Sequence, residues 1–512
     1  MLQRFDIDTK LHIPVSELAY YLFLCPILMA KAFGLYDGQI AFKIVLLAAL
    51  LGFIVKMILT TYSLKEAGLS IGLLALGFIS YRVSGDKGML LYIMMIVGAK
   101  NLSTRRIMKI AGITFCGSFV LMSVLTATRM INGPVKIHEK LGHLMARWCL
   151  GQAHPNVLHV SYLLFCIFVI YMTQSSKKKN LILFLLMLGN IYIFLYSVSF
   201  TGLIAVIVFL MLCLYWTIMH GKSQKIMSWE KILLYGGFAF CVLFSMLAPI
   251  LLRGRAFELL NKAVNTRLEL SRYFLTTYPV SLWGHRISEI VTSSITMDCS
   301  YVYAYEAYGI VIFVLIIMGY GFLMKKLIRE QRGVELCIVL ACLIAGVTEP
   351  FLFNASFKNM SLLFFAEILY RQPAEETGTE AADDQGIFKE TKEKKIGGYL
   401  LIFCIGAVIA LVAGMLLVKP YDRIIVSRSD RDFDELDFME LNITAEELRE
   451  GDILLGNNFH DDWMQLTGFE PRLEYVRCIV TVSLLGGILL MVIYESLNRI
   501  RTKHINTGKS SE

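Results

Sequence analysis

The sequence predicts an all-α fold, a polytopic transmembrane helix bundle of about 14 spans, and three observations predict it. Of the 512 residues 56% are hydrophobic and only 18% are charged, and the mean hydropathy is +0.61; that balance excludes a soluble globular chain. The apolar runs are about 17 to 22 residues long, enough to cross a hydrocarbon core roughly 30 Å thick at 1.5 Å per helical residue. Short loops rich in Lys and Arg alternate with less basic ones, which orders the runs as successive membrane crossings.

In chain order the runs fall near residues 15–33, 40–61, 67–82, 87–100, 107–127, 157–173, 181–198, 202–219, 232–252, 306–324, 335–349, 359–370, 398–418 and 478–497. The start, Met1 to Lys10, is mixed in charge and the first apolar run begins only near Leu18, so no removable signal peptide is expected. Four basic loops (Lys100 to Lys109, Ser175 to Lys179, Lys222 to Lys231 and Lys325 to Arg332) are placed in the cytoplasm by the positive-inside rule, together with both termini. Residues 128–156, 253–305, 350–358 and 419–477 then lie outside. Most cysteines (Cys25, Cys116, Cys166, Cys213, Cys241, Cys337, Cys342, Cys404) sit in apolar runs without metal-ligand spacing and read as small buried hydrophobes. Cys149 and Cys299 fall in outer loops, which leaves a disulfide between them open.

The chain divides into residues 1–370, a transmembrane body, then 371–397, a polar block expected to be a cytoplasmic disordered linker, then 398–512, two spans enclosing an outer segment. Residues 419–475 hold fifteen acids against six Lys or Arg, a net of −9, so with a whole-chain charge of +8 the acidity is concentrated there. Thr444-Ala445-Glu446-Glu447 has capping-box spacing and predicts a short helix. Asp430 to Glu435 lacks the glycine and terminal bidentate Glu of a calcium loop, so no metal site is assigned. This small acidic extracytoplasmic module reads as a regulatory or partner-binding appendage.

Two outer loops break the usual charge bias. Residues 128–156 hold Arg129, Lys136, Lys140 and Arg147 against one acid, and 253–305 hold Arg253, Arg255, Lys262, Arg267, Arg272 and Arg286. Basic residues outside call for an anionic ligand or for lipid headgroups. In His154-Pro155-Asn156, proline suits the first helical position, which sets His154 at the N-cap of the span that follows. The helix dipole there disfavours an imidazolium and welcomes an anion, so His154 is either a neutral general base beside an anion site or a plain helix cap. Arg267 and Arg272 lie in Asn265 to Phe274, whose alternating Leu268, Tyr273 and charges predict an interfacial amphipathic helix. Arg suits a pyrophosphate because its planar fork bonds phosphate oxygens; snorkelling at the headgroups is the other reading for Arg253, Arg255 and Arg272.

The pattern Arg147-x-x-Leu150-Gly151-x-x-His154-Pro155-Asn156, Ser199-x-Thr201-Gly202, Thr266-Arg267-Leu268 through Pro279, Leu282-Trp283-Gly284, Asp298-x-Ser300-Tyr301 and Tyr308-Gly309 resembles Wzy-type polysaccharide polymerases of the O-antigen polymerase and ligase superfamily. The resemblance covers roughly residues 100 to 370. Phe200 stands where the family often carries an Arg, and residues 371–512 lie outside the match. The resemblance implies a GT-C-like bacterial enzyme of the cytoplasmic membrane, acting outside on polyprenyl-pyrophosphate-linked oligosaccharide with no metal, cofactor or nucleotide sugar. It also implies His154, Arg147 and Arg267 as catalytic residues, with Asn156, Arg272, Asp298 and Tyr301 as substrate-binding positions and Glu349 and Asn354 behind them. The partners implied are membrane lipid and a chain-length regulator or flippase, and no nucleic acid. A ligase of the same superfamily would share all these residues. A repeat-unit flippase would be expected to carry its ionisable residues within spans and to show two similar halves.

Overall fold

The computed structural model describes residues 14–140, 143–220, 225–292, 295–370, 393–419, 424–427, 442–443, 453–455, 463–466 and 469–508. The linker expected at 371–392 and the capping box at Thr444 lie outside the described residues. The described chain is predominantly helical, and ten helices are long and apolar enough to cross a membrane. It is therefore a multi-pass membrane protein. Four shorter apolar helices, Gly88–Gly98, Gly333–Ala345, Met360–Leu369 and Leu401–Leu417, lie at the other four apolar runs and are below spanning length.

The chain forms two units, residues 1–124 with 149–373, and residues 125–148 with 374–512. The first unit begins with α1 (Val15–Ala32), α2 (Ile40–Leu59), α3 (Leu64–Ser84), α4 (Gly88–Gly98) and most of α5 (Thr104–Ala127). Helix α3 starts as its sequence dictates, with Ser63 and Glu66 closing a capping box. Next come α6 (Pro155–Met172), α7 (Lys179–Ser197), α8 (Phe200–His220), α9 (Ser228–Leu251), α10 (Gly254–Ala263), α11 (Arg267–Thr277), the single turn α12 (Ile287–Ile290), α13 (Ser300–Arg329), α14 (Gly333–Ala345) and a 3₁₀ turn leading into α15 (Ala366–Leu369). Helix α14 buries eleven of its thirteen residues, so it is core; α2, apolar all round, leaves most of its surface open, as lipid contact allows.

The exposed amphipathic helix lies one element earlier than the sequence suggests. In α10 no residue is buried, and Arg255 and Lys262 share it with Leu259 and Leu260, the composition of a helix lying in a membrane surface. In α11, by contrast, Arg267, Ser271 and Phe274 are buried at i, i+4 and i+7, one face packed on the bundle. Cys149 and Cys299 are both buried free thiols.

The second unit holds the β1 (Val135–Lys140) and β2 (His143–Trp148) hairpin, α16 (Glu393–Leu417), α17 (Phe469–Gly508) and four short strands between them: β3 (Ile424–Ser427), β4 (Asn442–Ile443), β5 (Ile453–Leu455) and β6 (Trp463–Leu466), in the order β4-β6-β3-β5. These strands depart from an all-helical expectation. Small residues set the α16/α17 packing: a Cβ on Gly486 would lie 2.2 Å from the Cβ of Ala410, and one on Gly406 would lie 2.7 Å from Gly486 O. The hairpin is nailed to the start of α17. Trp148 Nε1 donates to Glu474 at 3.1 Å, Arg129 pairs with Glu474 at 2.7 Å, and the fully buried Arg477 bonds Glu470, Glu474 and Ala146 O. The stretch 125–148, grouped by sequence with the body, is thus structurally part of the C-terminal unit.

Candidate functional site

Within the first unit, pieces of sequence far apart meet around Arg267. Asn265 and Thr266 precede it with φ of 54° and 64°, left-handed conformations that cost side-chain-bearing residues roughly 1–2 kcal/mol each. They turn the chain so that Arg267 opens α11 facing inward, with 4% exposure. One guanidinium N–H donates to Glu349 Oε1 at 3.1 Å, another reaches Val264 O at 3.4 Å, and Nε lies 3.7 Å from Asp298 Oδ2 without a hydrogen-bond partner. Glu349 Oε1 also accepts from Thr201 Oγ1 at 2.7 Å.

Ser300 fixes this geometry. Its N–H donates to Gly346 O at 2.8 Å, its Oγ donates to Glu349 O, and Leu352 N–H donates to Oγ at 3.2 Å. The start of α13 and the turn after α14 are thereby one piece. The cluster carries one positive and two negative charges. Glu349 balances the buried guanidinium, while Asp298, with 29% of its side chain exposed and no hydrogen bond to Nε, is the partner an arriving anion would displace.

His154 stands at the N-cap of α6, with Pro155 in the first turn, as the sequence predicts. Its Nδ1 accepts the Asn156 N–H at 3.2 Å. A ring nitrogen that accepts a backbone N–H has no proton, so the neutral imidazole carries its proton on Nε2 and presents a donor there. Beneath it, Lys358 Nζ bonds Val157 O at 3.1 Å, Gln152 Oε1 at 3.5 Å and Ser161 Oγ, and Gln152 Nε2 donates to Ala32 O at 2.8 Å. These acceptors are all uncharged. Burial holds the Lys358 ammonium well below its ordinary range, with Lys31 adding like-charge repulsion.

The other sequence-selected residues take different places. Arg147 belongs to β2 of the second unit, buried, with its Cα opposite Lys136. Arg272 donates to Pro249 O at 2.6 Å and to Leu252 O and lies over the Phe257 ring, so it closes the carbonyl end of α9. Tyr301 is buried with its hydroxyl donated to Leu343 O at 2.8 Å, which ties α13 to α14. Asn156 uses its N–H in the His154 cap.

Sequence reasoning passed over one further pair. His285 Nδ1 lies 3.3 Å from Glu306 Oε2, and Glu306 is 1% exposed with neither carboxylate oxygen hydrogen-bonded. The available signal was position: His285 directly follows Leu282-Trp283-Gly284, and Glu306 shortly precedes Tyr308-Gly309. Comparison of the chain with family models, with curated proteins and with solved structures finds no match.

Proposed function

We propose that this chain is a membrane glycosyltransferase that polymerises polyprenyl-pyrophosphate-linked oligosaccharide repeat units on the outer face of a bacterial cytoplasmic membrane. One observation carries the reading: Thr201, Arg267 and the pair Asp298 and Ser300, from three different pieces of the dispersed motif, join Glu349 in one cluster of hydrogen bonds and ion pairs, although they are separated by up to 148 residues in the chain. The glycan's reducing-end C1 passes from the lipid pyrophosphate to a hydroxyl of an incoming repeat unit. The departing pyrophosphate gathers negative charge, and the Arg267 Nε–H, buried without an acceptor, is the donor that meets it in place of Asp298. The exposed, amphipathic α10 has the composition suited to the headgroup layer, where a lipid carrier's pyrophosphate resides. The acidic segment within 419–477 is a regulatory or partner-binding appendage.

The test is incubation of the purified full-length protein in nanodiscs with short-chain lipid-linked repeat units, followed by gel analysis with and without EDTA. A ladder that survives chelation is expected. Transfer of single glycans to another acceptor would make the protein a ligase, and an unconsumed donor would overturn both readings. Replacing the pair together, Arg267→Met with Glu349→Leu, leaves no uncompensated buried charge. It should keep the fold and lower the polymerisation rate about 10²- to 10³-fold, the usual effect of losing one preorganised donor.

A further inference from the structure

Helix α13 is broken at Gly309, whose φ of 78° and ψ of 171° lie outside any helix. In a continuous helix Ile310 N–H would bond Glu306 O; here it donates to Ser281 O at 3.0 Å, and Glu306 O accepts the His285 N–H at 2.8 Å instead. Residues 281–285 therefore run along the break and take up the backbone groups it frees. The fit requires glycine on both sides. A Cβ on Gly284 would sit 2.1 Å from Ala307 O, and one on Gly309 would sit 2.4 Å from Leu282 O. The half-helix before the break is anchored through Tyr308, whose hydroxyl donates to Asp86 Oδ1 at 2.9 Å.

Irregular backbone within a membrane segment persists only where protein or a cavity satisfies it, and local strain of this kind collects at working sites. Here it delivers an imidazole to a buried carboxylate. His285 Nδ1 faces two acceptors, Glu306 O and Glu306 Oε2, each at 3.3 Å. Nδ1 therefore carries the proton, and the neutral ring presents a lone pair at Nε2. The ring keeps 21% of its surface open, and Tyr278 flanks it with ring centroids 5.8 Å apart. A carbonyl that orients the ring through Nδ1, with a nearby carboxylate to balance the imidazolium formed on proton uptake, suits a working base.

We propose that His285 is the general base of this enzyme and accepts the proton of the acceptor sugar's hydroxyl, with Glu306 as its positioning residue. The assignment of a sugar acceptor rests on the polymerase reading. As the hydroxyl proton moves to His285 Nε2, the hydroxyl oxygen bonds to C1 of the donor sugar. The bond from C1 to the pyrophosphate oxygen breaks, and its electron pair leaves on polyprenyl pyrophosphate. Ser300, at the Arg267 cluster, and Glu306, beside His285, are six residues apart on one helix, so the same half-helix carries both groups.

The test uses the full-length protein in nanodiscs with the same lipid-linked unit. His285→Gln should lower kcat about 10²- to 10⁴-fold, the range for loss of a general base, with KM little changed. Glu306→Gln should lower kcat with KM again unchanged, and Glu306→Asp should restore part of it, a pattern a merely structural role would not give. A His285→Gln protein that is monodisperse and polymerises at the wild-type rate overturns the proposal. Carbethoxylation by diethyl pyrocarbonate, read by mass spectrometry, decides it separately from activity: His285 should react ahead of His154. If wild-type protein makes no polymer, the polymerase reading falls and the sugar acceptor with it, while the base itself stands or falls on that reactivity. An unreactive His285 overturns it.

Discussion

His154 and His285 both lie in loops between membrane helices, and the difference between them is which ring nitrogen is committed. At His154 the backbone N–H of Asn156 is donated to Nδ1, so the ring closes the start of α6 and its remaining nitrogen is a donor. At His285 the same nitrogen faces a carbonyl and a buried carboxylate, so the remaining nitrogen is an acceptor. The surroundings differ in the same sense. The turn before His154 is held by side-chain hydrogen bonds of Gln152, Ser161 and Lys358, as suits a fixed corner. The loop before His285 is held by backbone bonds to α13 and by the Ser281 hydroxyl, and leaves the Glu306 carboxylate without a hydrogen bond. A histidine in a promising loop is thus a base or a cap according to its tautomer, and the neighbours set the tautomer.

Three changes break or sharpen this contrast. The largest effect is expected from Gly284→Val, which forces a side chain at φ 89° against Ala307 O. Backbone strain and overpacking, roughly 1–3 kcal/mol each, should cut the yield of monodisperse protein sharply and remove activity with it. A well-folded, active Gly284→Val protein would show that the loop 281–285 is not locked to the break.

Lys358→Met is expected to act through pH. Because the folded-state pKa is depressed, the unfolded chain binds the proton more readily between that value and the ordinary lysine value of about 10.4, so stability rises with pH in that window. Within that window the wild type should gain up to about 1.4 kcal/mol per pH unit over Lys358→Met, measured as the difference in thermal midpoint. A pH-independent difference would mean that Lys358 stays charged in the fold.

His154→Ala should cost the least, about 1 kcal/mol for a lost N-cap. His154→Asn should recover most of it, and both should polymerise within a few-fold of the wild type. Abolished polymerisation at an unchanged thermal midpoint would reverse the roles assigned to the two histidines.

Parts of the site were readable before any fold. The motif pieces containing Arg267, Asp298 and Thr201 stand out in the sequence, and Pro155 announces the cap at His154. What could not be read was their pairing: Glu349 meets Arg267 across 82 residues, and nothing in either local stretch encodes that distance. Arg272 and Tyr301 looked equally available as ligands, yet their donors are taken by Leu252 O and Leu343 O, acceptors contributed by other helices.

The linear chain by itself determined that this is a multi-pass helical membrane protein, because apolar run length, helix rise and hydrocarbon thickness are local quantities that need no contacts. It also determined where helix α6 begins, because the N-cap and the proline beside it act within one turn. Only the tertiary structure decided that residues 125–148 join the C-terminal unit, that the exposed amphipathic helix is α10 while α11 is packed, and that His285 meets Glu306 where α13 breaks. Each of those depends on which distant backbone or side chain supplies the hydrogen bond or the apolar cover, and that is settled by packing rather than by pattern.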